Sequence, residues 1–161
     1  GGNTSNTSAG GTGQQEQKSE PEQASMTLAE AIGQGKKLKI SYKGYEVVDS
    51  YQEGKAYSVA APEGKTFLVA KLKLKNTTDE AVKVDNGTLD VTYRCCYNEA
   101  DTVNAESTFL TKDFTTYDGT IKAGKSVNAV IFFPIPADAK KQIKNITMSV
   151  VIEGTESLIK L

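Results

Sequence analysis

The segment over residues 66–75 most constrains the fold, because its apolar side chains fall on every second position. A valine and three lysines alternate there with Leu68, Ala70, Leu72 and Leu74. Successive side chains of a strand point to opposite faces, so the pattern predicts one apolar face and one lysine-covered face. Strands buried on one side only are typical of antiparallel sheets with water on the other side. The segment therefore predicts a sandwich or a barrel.

Similar alternation recurs along the chain between turn signals, for example over residues 89–97 and 146–152. About eight or nine short strands of this kind are typical of a β-sandwich, with a closed barrel as the alternative. A helical turn over residues 137–142 resembles the connection between the sheets of immunoglobulin-like domains and favours the sandwich. The predicted fold class is all-β, an immunoglobulin-like antiparallel β-sandwich preceded by a disordered tether and a short helix.

Several local predictions follow the same signals. Proline cannot donate to a strand ladder, so Pro134 and Pro136 must end the strand over residues 127–133 or place it at a sheet edge. Residues 108–114 read as a weak strand. Residues 98–106 read as a polar loop, and residues 117–120 as a turn.

The domain boundary is predicted at Thr27. Residues 1–26 contain no aromatic residue, leucine, isoleucine or valine, so they cannot bury enough apolar surface to order and are predicted to form a disordered tether. Thr27 and Glu30 have the spacing of a capping box, which predicts a short helix ending before Gly33. Residues 27–161 form one predicted domain of about 135 residues, enough for a two-sheet core.

The composition excludes several classes of function. The chain has no histidine, which removes Ser–His and Cys–His hydrolases. Arg94 is the only arginine and the net charge is −1, so neither phosphate clamping nor nucleic-acid binding is expected. No apolar run approaches the roughly 20 residues that span a bilayer. We expect no enzymatic activity and no cofactor.

Adjacent cysteines, Cys95 and Cys96, are the candidate redox residues. Adjacent Cα atoms lie about 3.8 Å apart, below the usual disulfide range of about 4.4–6.8 Å. In a regular strand the two side chains point to opposite faces, with Cys95 buried and Cys96 accessible. Two unpaired thiols are the preferred interpretation. A strained vicinal disulfide and pairing of Cys96 with another molecule remain the alternatives.

Three further residue types raise binding hypotheses. Acidic residues cluster loosely at Asp79, Glu80, Asp85 and Asp90, which permits calcium but does not match the spacing of an EF-hand. Tyrosines 42, 45, 51 and 57 are interpreted as filling the space between sheets, with an exposed binding face as the alternative.

Five N-x-S/T triplets begin at Asn3, Asn6, Asn76, Asn86 and Asn145, and we interpret them as chance occurrences rather than glycosylation sites.

Three motifs together resemble a bacterial extracytoplasmic domain family of unknown function. They are G-K-T-F-L-V followed by K-L-K-N over residues 64–76, the A-G-K turn at 123–125 with the V-x-A-V-I-F-F-P strand at 127–134, and the alternating strand at 146–152. Members of that family are surface lipoproteins with an immunoglobulin-like sandwich behind a low-complexity tether. The resemblance covers residues 36–161. It implies an extracytoplasmic location, a removed signal peptide and an N-terminal lipid anchor.

The predicted function is a non-enzymatic cell-surface or secreted binding module, a lipoprotein ectodomain whose partner is a protein or cell-envelope component. Loops usually carry recognition on such scaffolds, here residues 98–106 and 113–120. The candidate binding residues in them are Glu99, Asp101, Asn104, Tyr117 and Asp118. No nucleic acid is expected to bind, and contact with a membrane is expected only through the lipid anchor. The alternative is a small-ligand or calcium carrier in the envelope, and a hydrolase acting through carboxylates ranks last.

Overall fold

The alternating segments form the strands of a β-sandwich. A computed structural model describes residues 24–161, and the only α-helix among them is α1 (Leu28–Ala31). The strands are β1 Ser25–Met26, β2 Leu38–Val48, β3 Ser50–Glu53, β4 Tyr57–Ala60, β5 Lys65–Asn76, β6 Val82–Asp85, β7 Val91–Tyr97, β8 Asp101–Asn104, β9 Asp118–Ile121, β10 Ser126–Pro136, β11 Ile146–Ile152 and β12 Thr155–Ile159.

Two sheets and two separate hairpin-like ribbons make up the architecture. The larger sheet has five strands in the order β1-β12-β11-β7-β8, and the smaller sheet has three in the order β10-β5-β2. The ribbons are β3–β4 and β6–β9. All pairings are antiparallel except that of β1 with β12. The predicted all-β antiparallel sandwich is confirmed.

The main core lies between the two sheets. The three-stranded sheet contributes the inward side chains of β5, of which Leu68, Ala70 and Leu74 are fully buried. The five-stranded sheet contributes Cys95 and Met148, which lie directly opposite each other on β7 and β11. These residues belong to one continuous apolar cluster, so burial of the alternating faces holds the sheets together.

The outer side of β5 differs from the prediction at its first half. Phe67 and Val69 point away from the main core, yet both are fully buried. They belong to a second group of apolar residues, the outer cluster, which also contains Leu110, Val130 and Phe132. The β3–β4 hairpin supplies partly buried residues that pack on this cluster. The predicted lysine-covered face therefore exists only from Lys71 onward, where that cover ends.

The N-terminal part of the domain follows its local signals. Thr27 N donates to Glu30 Oε1 at 2.9 Å and Glu30 N donates to Thr27 Oγ1 at 3.0 Å, so the capping box is confirmed. A disordered tether was predicted for residues 1–26. Residues 1–23 of it lie outside the described part of the chain. The chain is already ordered two residues before the predicted boundary, because Ser25 and Met26 form β1. Within residues 24–161 no helix has the length and apolarity to cross a membrane.

The prolines of β10 lie in an edge strand. Pro134 and Pro136 pair with Phe67 and Lys65 of β5, and β10 has no regular strand on its other side. Of the two predicted outcomes, an ended strand or an edge, the second is correct. A 3₁₀ turn, Ala137–Ala139, then connects the three-stranded sheet to β11 in the other sheet. A helical turn with this role was predicted over residues 137–142.

Three local predictions are wrong. The predicted 98–106 loop contains β8, and the predicted 117–120 turn lies within β9. Both strands are short, and their D-T-V-N and D-G-T-I sequences are polar because each pairs with one neighbour only. The predicted strand over residues 108–114 is an irregular loop, in which the buried carboxylate of Asp113 binds its own neighbours and Asp113 forms only an isolated bridge with Val130.

Two of the N-x-T asparagines are structural. Asn76 is fully buried, and its Nδ2 donates to Glu80 O at 2.7 Å and to Ile121 O at 2.9 Å. Asn86 is also buried, and its Nδ2 donates to Phe114 O at 2.8 Å. Both amide nitrogens are thus occupied in the folded domain, where they hold loops against strand ends.

Replacing Asn76 by alanine should destabilise the domain. The change removes the Nδ2 donor to the carbonyl oxygen of the buried Ile121 and to Glu80 O, and it removes the acceptor of Thr78 N. Glu80 O keeps the Thr78 hydroxyl as a donor, so the main cost falls at Ile121, and we expect a loss of about 2–3 kcal/mol in the free energy of unfolding. Urea denaturation followed by fluorescence measures it. The matched control is Asn145→Ala, an exposed asparagine in the same triplet context, expected within about 0.5 kcal/mol of wild type. Equal losses in both variants would contradict the assignment.

Candidate functional site

The predicted binding residues lie in two separate parts of the fold. Glu99, Asp101 and Asn104 belong to the β7–β8 hairpin at the edge of the five-stranded sheet. Asp118 is the first residue of β9 in the β6–β9 ribbon, and Tyr117 directly precedes it at the end of a 3₁₀ turn. The structure therefore places them as two groups on different strand pairs, and their role in binding stays a prediction.

Some of these side chains have structural partners. Asn104 Oδ1 accepts a hydrogen bond from Arg94 Nε at 2.9 Å, and Asp118 lies 3.8 Å from the ammonium group of Lys83. Burial, with the nearby Asp118 charge, raises the pKa of Tyr117 above its ordinary value. Tyr117 is half-buried against the main core, so its ring supports the fold more than it offers a free surface.

The two cysteines are unpaired, as the preferred interpretation predicted. Cys95 is fully buried in the main core, and Cys96 is half-buried on the other face of β7. Burial, and to a lesser degree the neighbouring Cys96, raises the pKa of the Cys95 thiol to about 12. The thiolate is the reactive form of cysteine, so Cys95 is poorly suited to nucleophilic or redox chemistry.

A buried carboxylate that the sequence reasoning missed organises the loop over residues 105–113. Asp113 is fully buried and accepts hydrogen bonds from the backbone N–H and the hydroxyl of both Thr108 and Thr115, at 2.7–2.9 Å. All four donors come from residues within five positions of it. The T-x-x-x-x-D-x-T spacing was the available signal, since Asp and Thr side chains commonly bind nearby backbone groups.

The β3–β4 hairpin is fastened to this 105–113 loop by one side chain. The Glu53 carboxylate accepts hydrogen bonds from Thr111 N at 3.0 Å, Thr111 Oγ1 at 2.9 Å and Lys112 N at 2.9 Å. Burial opposes the charge, but these hydrogen bonds outweigh it and hold the pKa of Glu53 below its ordinary value. The hairpin and the loop therefore form one raised wall on the outer side of the three-stranded sheet.

The wall stands on the outer cluster. Tyr51 of β3 packs edge-on against Phe132 of β10, with ring centroids 5.2 Å apart and planes at 81°. Phe132 in turn contacts Phe67 at a centroid distance of 5.1 Å. An isolated two-stranded hairpin is marginal in water, so this aromatic contact is what holds β3–β4 on the sheet.

An open cleft of about 290 Å³ lies at the foot of the wall. We call it the lysine cleft, because three lysines from separate elements line it: Lys43 of β2, Lys71 of β5 and Lys112 of the loop. Tyr51 and Asn128 also contribute to the lining. Three ammonium groups line this cleft and attract anions, against the carboxylates of Glu46 and Glu53, whose charges act on Tyr51 of the lining.

The top of the wall carries two exposed aromatic rings. Tyr57 at the start of β4 is 58% exposed, and Phe109 in the loop is 66% exposed. Their ring centroids lie 6.1 Å apart with planes at 71°, an edge-to-face pair. We call them the aromatic pair. The candidate functional site thus combines an exposed apolar rim with a cationic floor, and none of the five predicted binding residues belongs to it. The interpretation of the tyrosines as filling the space between the sheets is wrong for Tyr57, which is exposed, and for Tyr51, which packs on the outer cluster.

The fold and this surface define an all-β sandwich domain that carries an exposed aromatic pair beside a lysine-lined cleft. Residues 32–156 match the family described as "Domain of unknown function (DUF4352)", and the chain belongs to that family. The resemblance to a family of domains of unknown function is confirmed at this level.

Two solved structures similar to the chain are described as an uncharacterised and a hypothetical protein. A β-sandwich protein from Clostridium difficile 630 is 19% identical, with a TM-score of 0.53 over 91% of this chain and 99% of that one, and this likeness shows the fold alone. A conserved hypothetical protein from Bacillus anthracis is 14% identical over 78% of this chain and 89% of its own, at a TM-score of 0.44. No curated protein matches the chain.

The accessible thiol should be Cys96 alone. We expect Ellman's reagent to react with one thiol per folded chain and with two in 8 M urea, because Cys95 is buried and its pKa is raised to about 12. Cys96→Ser should abolish the reaction of the folded protein, and Cys95→Ser should leave it unchanged. Two fast thiols in the native wild-type chain would contradict the buried position of Cys95.

Removing the Glu53 carboxylate should loosen the 105–113 loop. In Glu53→Ala we expect roughly tenfold faster hydrogen exchange at the backbone amides of Thr111 and Lys112, which lose their acceptor. Glu63→Ala, an exposed glutamate outside the wall, is the control and should leave both amides unchanged.

The same protection should depend on pH. The folded-state pKa of Glu53 lies below the ordinary value of 4.5. The stabilisation that the ionised Glu53 carboxylate gives to the loop is therefore complete above pH 4.5. It is lost as the pH falls through the lower pKa that Glu53 has in the folded state. We expect the protection factors of Thr111 and Lys112 to follow that course in the wild type and to be flat in Glu53→Ala. A flat wild-type profile would show that the carboxylate does not hold the loop.

Proposed function

We propose that the chain is a non-enzymatic binding module of the bacterial cell envelope, acting at the cell surface or as a secreted domain. The observation that carries the proposal is the aromatic pair, two large exposed rings held on a fastened wall. An exposed apolar pair costs solubility, and clustered surface aromatics commonly mark interaction sites. The partner we propose is a protein or another envelope component.

The geometry of the wall supports this use of the pair. Glu53 joins the hairpin to the loop, so the two rings are carried by segments that are already fixed to one another. Aromatic side chains have only two torsions to order, and a preformed support lowers the entropy lost on binding. The pair therefore has the properties of a recognition anchor.

The proposed location rests on the N-terminal composition and on the family resemblance. Residues 1–23 are rich in Gly, Ser, Thr, Asn and Gln, a composition typical of linkers. The lipoprotein members of the resembling family carry such a tether behind a lipid anchor. We therefore include an N-terminal lipid anchor in the proposal, as the means that would hold the domain at the outer face of the membrane.

A small-ligand carrier is the second candidate, and the lysine cleft is the observation that favours it. Its volume of about 290 Å³ would admit a small anionic molecule beside Lys43, Lys71 and Lys112. Such a ligand would raise the melting temperature by mass action. Calcium has no comparable support, since no three Asp, Glu, Cys or His side chains within residues 24–161 are grouped to hold a metal ion.

Site-specific photo-cross-linking in the native host tests the proposed function. A benzophenone amino acid replaces Phe109 or Tyr57 in the wild-type chain, and a third variant carries it at Leu89, an exposed apolar residue outside the wall. We expect one reproducible cross-linked species from the first two positions and none from Leu89. Cross-links from Asp101 or Asp118 with none from Phe109 would contradict the aromatic site and favour the predicted loops.

The energetic test uses the double variant Tyr57→Ser, Phe109→Ser. If the pair anchors the partner, the variant should lose at least about 2 kcal/mol of binding free energy, roughly 30-fold in Kd. Because both rings are exposed, its melting temperature should stay close to that of the wild type. Leu89→Ser is the matched control. Unchanged binding by the double variant would show that the pair is not the anchor.

A further inference from the structure

The floor beside the wall is a flat, cationic part of the three-stranded sheet, which we call the lysine face. It is the outer side of β2, β5 and β10 beyond the cover of the hairpin, together with the neighbouring end of the 105–113 loop. Its exposed lysines are Lys39, Lys43, Lys71, Lys73, Lys75 and Lys112. They come from three elements that are distant in sequence and were not recognisable as a basic block.

Strand register brings these charges side by side. Lys39 of β2 lies directly opposite Lys75 of β5. Lys73 lies between Ser41 on one side and Asn128 on the other. The remaining outward positions of this part of β10, Ser126 and Val130, are uncharged. The face therefore carries lysines interspersed with small polar groups, and none of the outward positions at 39, 41, 71, 73, 75, 126, 128 and 130 is acidic.

Fold stability does not account for this arrangement. Like charges directly opposite each other on neighbouring strands are destabilising, as at Lys39 and Lys75. Lysines often protect an edge strand from aggregation, but Lys71, Lys73 and Lys75 lie on β5, the central strand. The ion pairs within residues 24–161 are Lys83–Asp118, Arg94–Glu156 and Lys140–Asp49, and none includes a lysine of this face.

The lysine cleft gives the face a defined end. Lys43 and Lys71 of the floor meet Lys112 of the wall around the same opening, with Asn128 as a neutral donor. Arg94, the only arginine, lies in the other sheet and is occupied by Asn104 and Glu156. An anion at this side of the molecule would thus be bound by ammonium groups, which act as point charges without fixed bidentate geometry.

We propose that the lysine face binds a linear phosphodiester polymer of the cell envelope, one with a short polyol between successive phosphates. This inference rests on the proposed binding function and names the ligand class of the same outer surface. Alternate residues of a strand are about 7 Å apart, so Lys71, Lys73 and Lys75 form a row of charges at that spacing. A short polyol link separates phosphates on the same length scale. The polymer runs along the row and ends against the wall.

The shape of the surface favours a polymer over a membrane. The hairpin rises from the same face that carries the lysines, because it covers the outer cluster immediately beside them. A planar bilayer would meet the wall first and stay clear of the floor. A single extended chain, in contrast, fits the step between wall and floor and reaches the lysine cleft.

The floor also lacks the features of a nucleic-acid site. Proteins that bind single strands combine a basic groove with aromatic rings on which bases stack. The outward positions of the floor carry lysine, serine, asparagine and valine. Tyr51, the aromatic residue at the cleft, has its ring packed against Phe132. The surface thus recognises phosphate charge without a platform for bases.

A salt-dependent binding measurement tests the inference. The probe is fluorescently labelled poly(glycerol phosphate) of defined length, titrated with the whole domain at several salt concentrations. The test variant is Lys71→Gln, Lys73→Gln, Lys112→Gln. The control is Lys141→Gln, Lys144→Gln, Lys160→Gln, which removes the same charge from exposed positions outside the face.

We expect the test variant to bind at least tenfold more weakly than wild type. Its plot of log K against log salt concentration should be shallower by about 2, because three phosphate contacts are lost. The control should stay within about twofold of wild type. Since all six lysines are exposed, the melting temperatures of both variants should match that of the wild type, which separates lost binding from lost folding.

Four results would overturn the inference. Equal losses of affinity in the test and control variants would show that binding depends on the net charge of the domain and not on the lysine face. Tighter binding to a single-stranded oligodeoxynucleotide of equal charge would assign the face to nucleic acid. Tighter binding to vesicles of phosphatidylglycerol and phosphatidylcholine would assign it to the membrane. Failure of the polymer to bind, with the cross-link at Phe109 intact, would remove this ligand class and leave the proposed function standing.

Discussion

Burial of Phe67 and Val69 on the outer side of β5 is the constraint on which the surface of this domain depends. Each fully buried apolar side chain contributes about 1.5–3 kcal/mol, so leaving these two uncovered would be costly. The β3–β4 hairpin provides the cover and in return gains the support that an isolated hairpin lacks. From that position it brings Glu53 to the 105–113 loop and sets the aromatic pair at the top of the wall.

The same strand changes character where this cover ends. Over residues 66–70, β5 is buried on both sides and belongs to the packing of the domain; from Lys71 onward it is buried on one side only. The lysines are thus mounted on a strand whose other face is fixed in the main core. Their backbone positions are set by the central strand of the sheet while their side chains are exposed, a combination suited to a ligand recognised by charge spacing rather than by a fixed shape.

Features with local causes were predictable from the sequence, and features with distant causes were not. The capping box at Thr27 and the alternation of β5 depend on neighbouring residues and were predicted correctly, apart from the covered half of β5. The strands β8 and β9 were missed because edge strands with one partner carry polar sequences. The candidate site was missed because it depends on strand register and on the contact of Glu53 with Thr111, 58 residues away. No pattern in a single sequence reports such a contact.

The attachment of β1 to β12 has a mechanical consequence. Leu158 N donates to Ala24 O and Lys160 N donates to Met26 O, so the first described residues run parallel to the last strand. If the domain is held from its amino end while its outer surface is engaged, tension directed along β1 loads both hydrogen bonds together, in shear, instead of opening them one after the other. This edge would then act as a short force-bearing clamp, and the rest of the sandwich would be shielded until it gives way.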